Sequence, residues 1–403
     1  MISFEEAIQQ LRQHLLQPKT EEIAIENASG RVLAENILAD RDFPPFDRVT
    51  MDGIAFEFKA YENGQRQFPV EKICAAGAPR YKMESTTACV QIMTGAIMPE
   101  GADTVVRYED IDIKDDIATI NVDHIKAKQN VHFQGEDKKQ GELVLKEGTT
   151  LSPPDLIVAS SVGHSKLTVL ALPKVALITT GDELVDIDKQ PEVHQIRRSG
   201  NYGVQAILQA LHVNAKSFHL ADDAQEMQVR IKALLQDFDV LIFIGGVSKG
   251  KYDFLPDVLD ALDVQKHFHQ IKQRPGKPMW FGTIGNKKAV FGLPGNPVSS
   301  FVCALVYVQV YLRSMLNQSL DFEYVQLQEE VSFTPDLTYF LEVTISKNAR
   351  NETIALSKKG HGSGDFANLS QTHGFIMLPE NQSQFKAGEW FPYISFKKAF
   401  IGI

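Results

Sequence analysis

The sequence predicts a protein of several domains, in which a doubly wound α/β domain is combined with β-rich domains and a C-terminal β-barrel. Between Pro173 and Leu316, apolar strand-like runs alternate with helical patterns, which is typical of a parallel sheet covered by helices on both faces. Residues 68–122 and the tail from Phe322 instead follow short β-type patterns. A chain of 403 residues is also too long for one hydrophobic core.

Composition narrows the class of protein. Hydrophobic residues make up 43% of the chain and charged residues 23%, as in an ordinary globular protein. The net charge of -10 argues against a nucleic-acid-binding protein, whose surface would be basic. No apolar run approaches a membrane span, no signal-peptide pattern is present, and three cysteines cannot form a closed disulfide set. We therefore expect a reduced cytoplasmic enzyme or binding protein that acts on neither nucleic acid nor membrane.

Local patterns predict the secondary structure of the first half of the chain. Ser3 and Glu6 form a capping box, and the apolar residues that follow mark one face of a helix. The segment Ile111–Ile120 alternates apolar and polar residues around Asp115-Asp116, which predicts a β-hairpin. A further helix is expected after Ser152, with prolines in its first turn.

Two loops in the β-rich region carry polar side chains. Asp52-Gly53 is a turn dipeptide that would lift the carboxylate out of the surface, although an ordinary turn at the entry to a domain has the same pattern. The stretch from Met93 to Asp103 contains Thr-Gly and Pro-Glu-Gly steps, which indicate a loop where the Thr94 hydroxyl can bond a polar ligand.

The strand predicted at Val240–Ile244 organises the α/β domain. It is an unbroken apolar run, as expected for a strand buried on both faces of a parallel sheet. It ends at Gly245-Gly246, where the backbone can approach a ligand closely, and Ser248, Lys249 and Lys251 follow. Backbone N–H groups and the lysines favour an anion there, but an ordinary strand-to-helix loop has the same pattern.

The remaining elements of this domain continue the alternation. Further strands are predicted at 175–178, 212–220, 279–283 and 288–291. Helices are predicted at 202–211, from 221–223 through 235, through 255–262, and from Pro297 to about Leu316.

Carboxylates gather at the carboxyl ends of these strands. Glu183, Asp222 and Asp253 each follow a different strand, and three acids in one cleft repel one another. A hard cation, most simply Mg²⁺, would relieve that repulsion and could bridge phosphate oxygens, while the helix starting at Pro297 offers free N–H groups to an anion. The pattern favours phosphoanhydride chemistry. The alternative is that these acids are helix caps, and for Asp222, directly before Asp223, that alternative stays open.

Six motifs in this order resemble those of one family. Over essentially its whole length, the chain is similar to the molybdopterin molybdenumtransferases, which include the bacterial MoeA proteins and the E domain of gephyrin. The motifs are Pro44-Pro45-Phe46-Asp47 with Met51-Asp52-Gly53, Met93-Thr94-Gly95-Ala96 with Pro99-Glu100-Gly101-Ala102-Asp103, Gly135-Glu136-Asp137, Thr180-Gly181-Asp182-Glu183-Leu184, Gly245-Gly246-Val247-Ser248 with Asp253, and Gly292-Leu293-Pro294-Gly295-Asn296-Pro297.

The resemblance implies an elongated subunit of four domains. These would be an α/β molybdopterin-binding domain, a linking domain, a β-rich domain with the Met-Asp-Gly motif and a C-terminal β-barrel. The expected boundaries are, in that order, 1–22 with 172–320, 23–42 with 138–171, 43–137, and 321–403. Two subunits would form a homodimer, with each site between the α/β domain of one subunit and the Met-Asp-Gly region of the other.

The resemblance also implies a reaction. The family takes adenylylated molybdopterin and molybdate, hydrolyses the phosphoanhydride in a Mg²⁺-dependent step, releases AMP and inserts molybdenum into the dithiolene. Asp52, Glu183, Asp222 and Asp253 match functional polar positions of the family. On physical grounds we assign Asp222 and Asp253 to the metal and phosphates, and Glu183 and Asp52 to positioning water, pterin or molybdate. Thr94 and Asp137 match further functional polar positions. Substrate-binding positions are expected at Gly245, Gly246, Ser248, Pro294, Gly295, Asn296 and Pro297.

Some residues depart from the family pattern. Ile54 stands where an aromatic residue commonly follows Met-Asp-Gly, and Arg274 replaces the first lysine of Lys-Pro-Gly-Lys-Pro. Residues 336–341 lack the arginine that helps the family to hold molybdate. Molybdate is therefore expected to be held by Arg274, Lys277 and Ser363, or more weakly.

Two other functions stay open beside the favoured one. Molybdopterin adenylyltransferases share the α/β domain, but they are usually short chains without the Met-Asp-Gly domain. A catalytically weakened molybdopterin-binding scaffold is favoured by the missing arginine, whereas the retained Asp52, Glu183 and Asp253 favour an enzyme. Other molybdenum cofactor enzymes are further expected partners.

Overall fold

The computed structural model describes residues 1–248, 253–319 and 322–397. The chain divides into two compact units. One unit consists of Met1–Glu22, Gly30–Val32 and the chain from Thr168 onward, and the other consists of Ile23–Ser29 and Leu33–Leu167. This division is coarser than the four domains that the resemblance implies, so those four boundaries stay a prediction.

The helices and strands are numbered in chain order. The helices are α1 (Phe4–Gln13), α2 (Phe58–Glu62), α3 (Pro153–Ser161), α4 (Gly200–Gln209), α5 (Ala224–Asp237), α6 (Leu255–Ala261), α7 (Pro297–Cys303), α8 (Gln309–Met315) and α9 (Phe366–Gln371). The strands are β1 (Thr20–Ala24), β2 (Ile37–Leu38), β3 (Arg48–Val49), β4 (Gly53–Phe56), β5 (Gln67–Cys74), β6 (Cys89–Ile92), β7 (Thr104–Arg107), β8 (Ile111–Lys114), β9 (Ile117–Ile120), β10 (Val131–His132), β11 (Leu143–Leu145), β12 (Lys166–Leu170), β13 (Val175–Thr180), β14 (Leu184–Val185), β15 (Ile196–Arg197), β16 (Ala215–Leu220), β17 (Val240–Ile244), β18 (Gln265–His269), β19 (Gln273–Arg274), β20 (Trp280–Ile284), β21 (Lys288–Leu293), β22 (Glu323–Leu327), β23 (Val331–Ser332), β24 (Thr338–Lys347), β25 (Thr353–Ser357), β26 (Gly374–Leu378), β27 (Gln384–Phe385) and β28 (Trp390–Ser395).

The unit that contains residues 33–167 is built on a six-stranded sheet. Its strand order is β7-β4-β6-β5-β9-β8. Strand β4 separates two apolar clusters, because Ala55 packs into one of them and Ile54 and Phe56 pack into the other. The predicted hairpin is confirmed: β8 pairs with β9, and Asp115 and Asp116 form the turn with φ of 48° and 55°.

The other unit contains the predicted α/β domain. Its sheet has the strand order β16-β13-β17-β21-β20-β18. The first four strands are parallel neighbours, whereas β20 and β18 run antiparallel at one edge. The sequence predicted strands at both β20 and β21 but not their opposite directions. The short turn at Gly285 is the cause, because so short a connection joins only antiparallel neighbours.

Helices cover both faces of this sheet. In β17, Val240, Ile242 and Ile244 face a core shared with α1, α4, α7 and α8, whereas Leu241 and Phe243 face a core shared with α5 and α6. All five side chains are buried, which confirms the prediction made from the unbroken apolar run.

The N-terminal helix has the predicted capping box. Ser3 N–H donates to Glu6 Oε2 at 2.8 Å, and Glu6 N–H donates to Ser3 Oγ at 3.1 Å. Phe4, Ala7 and Leu11 are buried in the first of the two cores. The cap therefore sets the start of a helix whose apolar face closes one side of the α/β domain.

The long apolar helix predicted from Pro297 is also present. A π-helical turn at Ala304–Val308 joins α7 and α8 into one helix that ends at Met315. By length and composition it is the one helix in the described part of the chain that could cross a membrane, but most of it is buried inside the protein. Core helices of globular domains have the same properties.

The C-terminal region forms a closed five-stranded barrel, as predicted. Strands β24, β25, β22, β28 and β26 pair in that order, and β26 pairs back to β24. The short strand β19 lies parallel to β24, which ties the segment leaving the α/β sheet directly to the barrel.

All three cysteines are free and buried. Burial raises the pKa of the thiols of Cys74, Cys89 and Cys303, and for Cys89 the pKa rises to about 12.

Candidate active site

The register of the parallel strands aligns the loops that follow them. Ile244, the last residue of β17, pairs with Thr179 of β13 and with Leu293 of β21. The loops after β13, β16, β17 and β21 therefore leave the sheet at one edge, the carboxyl edge where open α/β sheets bind ligands. The wall of a cavity of about 420 Å³ includes the predicted site residues Glu183, Asp222, Gly245, Gly246, Ser248, Asp253 and Pro294–Pro297.

Carboxylates at this edge influence one another. Asp222 N–H donates to Asp182 Oδ1 at 3.2 Å. The Glu183 carboxylate folds over Gly181, where an added Cβ would lie 2.6 Å from Glu183 Oε2. Burial raises the pKa of Asp222, and the like charges of Asp182, Glu183 and Asp253 raise it further. The carboxylates of this wall therefore repel one another, although Arg197 and Arg198 also line the cavity.

The cap of α5 is Asp223 and not Asp222. Asp223 Oδ1 accepts a hydrogen bond from Glu226 N–H at 2.8 Å. The alternative that Asp222 serves as the helix cap is therefore wrong, and its carboxylate lies at the cavity wall instead.

The loop after β17 requires glycine. Gly245 and Gly246 have φ of +100° and +71°, which side chains rarely adopt. A Cβ at Gly245 would lie 2.8 Å from Thr180 Oγ1 and 2.9 Å from Thr180 O. Farther along the loop, Ser248 Oγ donates to Asp253 Oδ2 at 2.8 Å. Lys249 and Lys251, the expected anion ligands, lie outside the described residues.

Two buried polar atoms also line this cavity. Thr180 is 4% exposed and Asn201 is 8% exposed. In the described part of the chain, Thr180 Oγ1 and Asn201 Oδ1 have no hydrogen-bond partner. Buried polar groups are nearly always bonded, so these two atoms, which have almost no accessible surface, are exceptions.

The carboxylates at the carboxyl edge of the sheet offer oxygen atoms as ligands for a metal ion. Within residues 1–248, 253–319 and 322–397, no group of three or more His, Cys, Asp or Glu side chains is arranged to hold a metal ion. The carboxylates of Asp222 and Asp253 are nevertheless of the hard type that Mg²⁺ prefers. A cation beside them would relieve the repulsion that raises the pKa of Asp222.

A second cavity, of about 920 Å³, adjoins the first one. The two cavities share Pro278, Pro294 and Asn296 in their walls, and the second lies between the α/β domain and the barrel. Arg274, Lys277 and Ser363, the residues expected to hold molybdate, all line it. Asn296 Nδ2 donates to Ser363 Oγ at 2.9 Å, which joins the barrel side of the cavity to the α/β side.

The loop that carries Arg274 and Lys277 is held from below by Gln273, which is 1% exposed. Gln273 Nε2 donates to Pro275 O at 3.0 Å, and Gln273 Oε1 accepts a hydrogen bond from Tyr307 Oη. Both amide atoms are therefore used to hold the loop against the helix that contains Tyr307.

The other compact unit brings Asp52 and Thr94 together. Asp52 Oδ1 accepts hydrogen bonds from Thr94 N–H at 2.6 Å and from Thr94 Oγ1 at 2.8 Å, and these bonds lower the pKa of Asp52. At Gly53 an added Cβ would lie 1.9 Å from Val106 O, so only glycine fits after Asp52. Asp137 makes a separate contact in this unit, with its Oδ1 3.0 Å from His132 Nε2.

Comparison with known proteins identifies the family. Family models match residues 2–163 (MoeA N-terminal region, domain I and II), 176–314 (probable molybdopterin binding domain) and 324–396 (MoeA C-terminal region, domain IV). A molybdopterin molybdenumtransferase from Synechocystis sp. is 38% identical over 399 residues, which cover 98% of this chain and 100% of that protein. The chain belongs to the molybdopterin molybdenumtransferase family.

Other relatives agree with this assignment. A molybdopterin molybdenumtransferase from Staphylococcus aureus is 29% identical over 96% of this chain and 94% of its own length. Two crystal structures of a molybdopterin biosynthesis moeA protein from Pyrococcus horikoshii match with TM-scores of 0.82 and 0.80, identities of 27% and 26%, and coverage of 98% of this chain and of 99% and 100% of theirs. Membership in a family of molybdenum cofactor biosynthesis confirms the resemblance that the six motifs predicted.

Within this molybdopterin molybdenumtransferase fold, several polar residues in or beside the cavities were not predicted from the sequence as site residues. Thr180 and Asp182 lay inside a recognised motif, but only Glu183 was singled out there. Asn201 was not singled out as a site residue, and Glu342 had no motif signal, because the burial that distinguishes Glu342 comes from tertiary packing.

Proposed function

We propose that this protein inserts molybdate into adenylylated molybdopterin and releases AMP in a Mg²⁺-dependent step. The observation that carries the proposal is the pair of adjoining cavities that share Pro278, Pro294 and Asn296. The first combines the carboxylates of Glu183, Asp222 and Asp253 with Arg197 and Arg198. The second contains Arg274 and Lys277 beside Glu342 and Asp365. The first suits a phosphoanhydride that arrives with a metal ion, and the second suits a tetrahedral oxyanion. Both reactants would therefore meet at the shared wall.

In the first cavity, the backbone and short side chains would hold the phosphates. Gly245 and Gly246 carry no Cβ, so a phosphate oxygen can approach their N–H groups. The helix that begins at Pro297 points its free N–H groups toward the same edge.

The carboxylates would supply the metal site. Asp222 and Asp253 are the ligands we assign to Mg²⁺, which neutralises phosphate charge when it is bound. Ser248 orients the Asp253 carboxylate through its 2.8 Å hydrogen bond. Glu183 would position the attacking water, since its carboxylate is held over Gly181 at the mouth of the same cavity.

The second cavity would hold molybdate. The Arg274 guanidinium offers a planar pair of donors, Lys277 adds a positive charge, and the Ser363 hydroxyl adds a neutral donor. The hydrogen bond from Asn296 to Ser363 keeps this hydroxyl beside the first cavity.

The Met-Asp-Gly region would complete the site in a cytoplasmic homodimer. Asp52 stays ionised at neutral pH, because the hydrogen bonds from Thr94 lower the pKa of Asp52, so it can accept hydrogen bonds from pterin or water. Asp137 would contribute a further carboxylate. Partners would be the small-molecule substrates and other molybdenum cofactor enzymes that receive the product.

The decisive experiment measures AMP release from adenylylated molybdopterin with molybdate and Mg²⁺ added together, singly or not at all. Release that requires both ions supports the proposal. Binding of the adenylylated cofactor without AMP release, at every molybdate concentration, contradicts it and leaves the scaffold alternative. Formation of adenylylated molybdopterin from ATP would instead support the adenylyltransferase alternative.

The homodimer has its own test. Asp52→Asn and Asp222→Asn variants are each expected to lose nearly all activity as purified proteins. If one site combines Asp52 of one subunit with Asp222 of the other, mixing the two variants restores about a quarter of the activity, because mixed dimers retain one intact site. Mixtures that stay inactive after subunit exchange contradict the shared site.

A further inference from the structure

The second cavity, which we assign to molybdate, contains an acidic side chain that would repel an oxyanion if it were ionised. Glu342 lies in β24, is 8% exposed and lines the cavity together with Arg274, Lys277 and Ser363. No ion pair joins it to a cation in the described part of the chain. A buried carboxylate without a cationic partner in an anion site requires an explanation.

The two oxygens of Glu342 have different surroundings. Oε2 accepts hydrogen bonds from Gly360 N–H at 3.1 Å and from Asn368 Nδ2 at 2.5 Å. Asn368 Nδ2 also lies 2.7 Å from Lys358 O, so the network fixes the loop that leads to Ser363. Among the described residues Oε1 accepts no hydrogen bond, and it remains available to the cavity.

Groups of both signs face this carboxylate. On the same strand lies Tyr339, and on the loop after β25 lie His361 and Asp365. Arg274 and Lys277 line the same cavity, and the Lys358 ammonium bonds Gln371 Oε1 instead. Burial raises the pKa of Glu342, and the like charge of Asp365 raises it further, so a proton on Glu342 is favoured relative to an ordinary carboxyl.

We propose that Glu342 selects among oxyanions: the site takes up one proton together with molybdate, and that proton lies between Glu342 Oε1 and a molybdate oxygen. This inference rests on the assignment of the second cavity to molybdate. The proton comes from solvent, the Glu342 carboxylate becomes a carboxyl that donates an O–H···O hydrogen bond, and no bond to molybdenum forms or breaks.

The consequence is discrimination against sulfate. Molybdate is the more basic oxyanion, so it shares a proton with a carboxylate more readily than sulfate, whose conjugate acid is far stronger. A neutral donor alone would accept both anions, and an ionised acid would repel both. Glu342 therefore adds a chemical filter to a site whose positive charges cannot distinguish two dianions of similar shape.

The test is isothermal titration of the full chain with sodium molybdate, in buffers of different ionisation enthalpy, between pH 6 and pH 8. Uptake approaching one proton per molybdate is expected, with affinity falling about tenfold per pH unit where uptake is complete. In Glu342→Gln the amide keeps the acceptor for Gly360 and Asn368 and adds a donor. We expect proton uptake near zero, affinity at pH 8 about tenfold tighter, and weaker discrimination against sulfate in competition.

Two further variants locate the proton and the charge effect. His361→Asn should keep the uptake, because Glu342 and not His361 takes the proton. Glu330→Gln removes one acid of the barrel outside the cavity wall and should change neither uptake nor affinity. Thermal unfolding of each variant verifies the fold.

Several outcomes would overturn the inference. Molybdate binding by the unaltered protein without proton uptake does so by itself, even if Glu342→Gln fails to fold. Proton uptake that persists in Glu342→Gln, or that disappears in His361→Asn, would also overturn the inference. Molybdate that does not bind at all contradicts the assignment of the cavity, whereas AMP release in the separate assay shows whether the proposed reaction itself fails.

Discussion

Replacement of Gly245 by alanine tests whether the loop after β17 is built to approach a ligand. With φ of +100°, alanine at this position adopts a disfavoured backbone conformation, which costs about 1–2 kcal/mol. Its Cβ would also lie 2.8 Å from Thr180 Oγ1 and 2.9 Å from Thr180 O. The Thr180 side chain can rotate, but its carbonyl belongs to a central strand, so the loop must retreat by roughly 0.5 Å to restore ordinary contact.

Such a displacement would carry the N–H groups of the loop away from the phosphates. We expect kcat/KM for AMP release to fall between about tenfold and a hundredfold, because a small misplacement of binding groups strongly reduces catalysis. The assay follows AMP release under saturating molybdate and Mg²⁺. Gly64→Ala is the matched control, since Gly64 has φ of +98° but no atom within 4 Å of an added Cβ. If Gly245→Ala loses no more activity than Gly64→Ala, close approach of this loop to the substrate is refuted.

Four further predictions concern single side chains. Asp222→Asn should reduce Mg²⁺-dependent AMP release on the order of a hundredfold. It should not lower the melting temperature, because it removes a charge that its neighbours repel. Normal Mg²⁺ dependence would contradict the proposed role of Asp222 as a metal ligand. Arg274→Ala should raise the KM for molybdate about tenfold with kcat nearly unchanged, and an unchanged KM in initial-rate assays would exclude it from the oxyanion site. Glu183→Gln should slow AMP release at least about tenfold, and full activity in the same assay would remove Glu183 from the chemistry. Burial, and then the nearby His14, lower the pKa of His267 to about 4. The unfolded chain therefore binds this proton first, and the free energy of unfolding should fall as the pH drops from about 6.5 to about 4. His267→Gln should weaken that pH dependence in urea unfolding, and an unchanged dependence would rule out His267 as its source.

Much of the fold could be predicted because local chemistry and tertiary packing agree. The apolar run Val240–Ile244 is a fully buried strand, and the Ser3–Glu6 pattern makes the capping box that it predicts. The Asp115-Asp116 turn closes the expected hairpin because aspartate tolerates positive φ. In these segments a few neighbouring residues determine the structure.

Other features depend on distant residues and could not be predicted locally. The strand expected at 212–220 begins only at Ala215, because His212 adopts φ of +60° in the turn after α4. Asp222 and Asp223 are adjacent acids with different surroundings: Asp223 caps α5, whereas Asp222 lines the cavity, and only the packing of α5 separates them. Glu342 has no motif signal, since its environment is created by Gly360 and Asn368 across the barrel.

The burial of every cysteine has a consequence for the redox chemistry of the protein. The proposed substrate carries a dithiolene, a pair of sulfur atoms that could exchange with accessible protein thiols or share a metal with them. Cys74, Cys89 and Cys303 are all buried, and burial raises the pKa of each thiol, so little thiolate is present at neutral pH. In the proposed reaction these buried thiols would neither form mixed disulfides with the substrate nor compete with it for molybdenum.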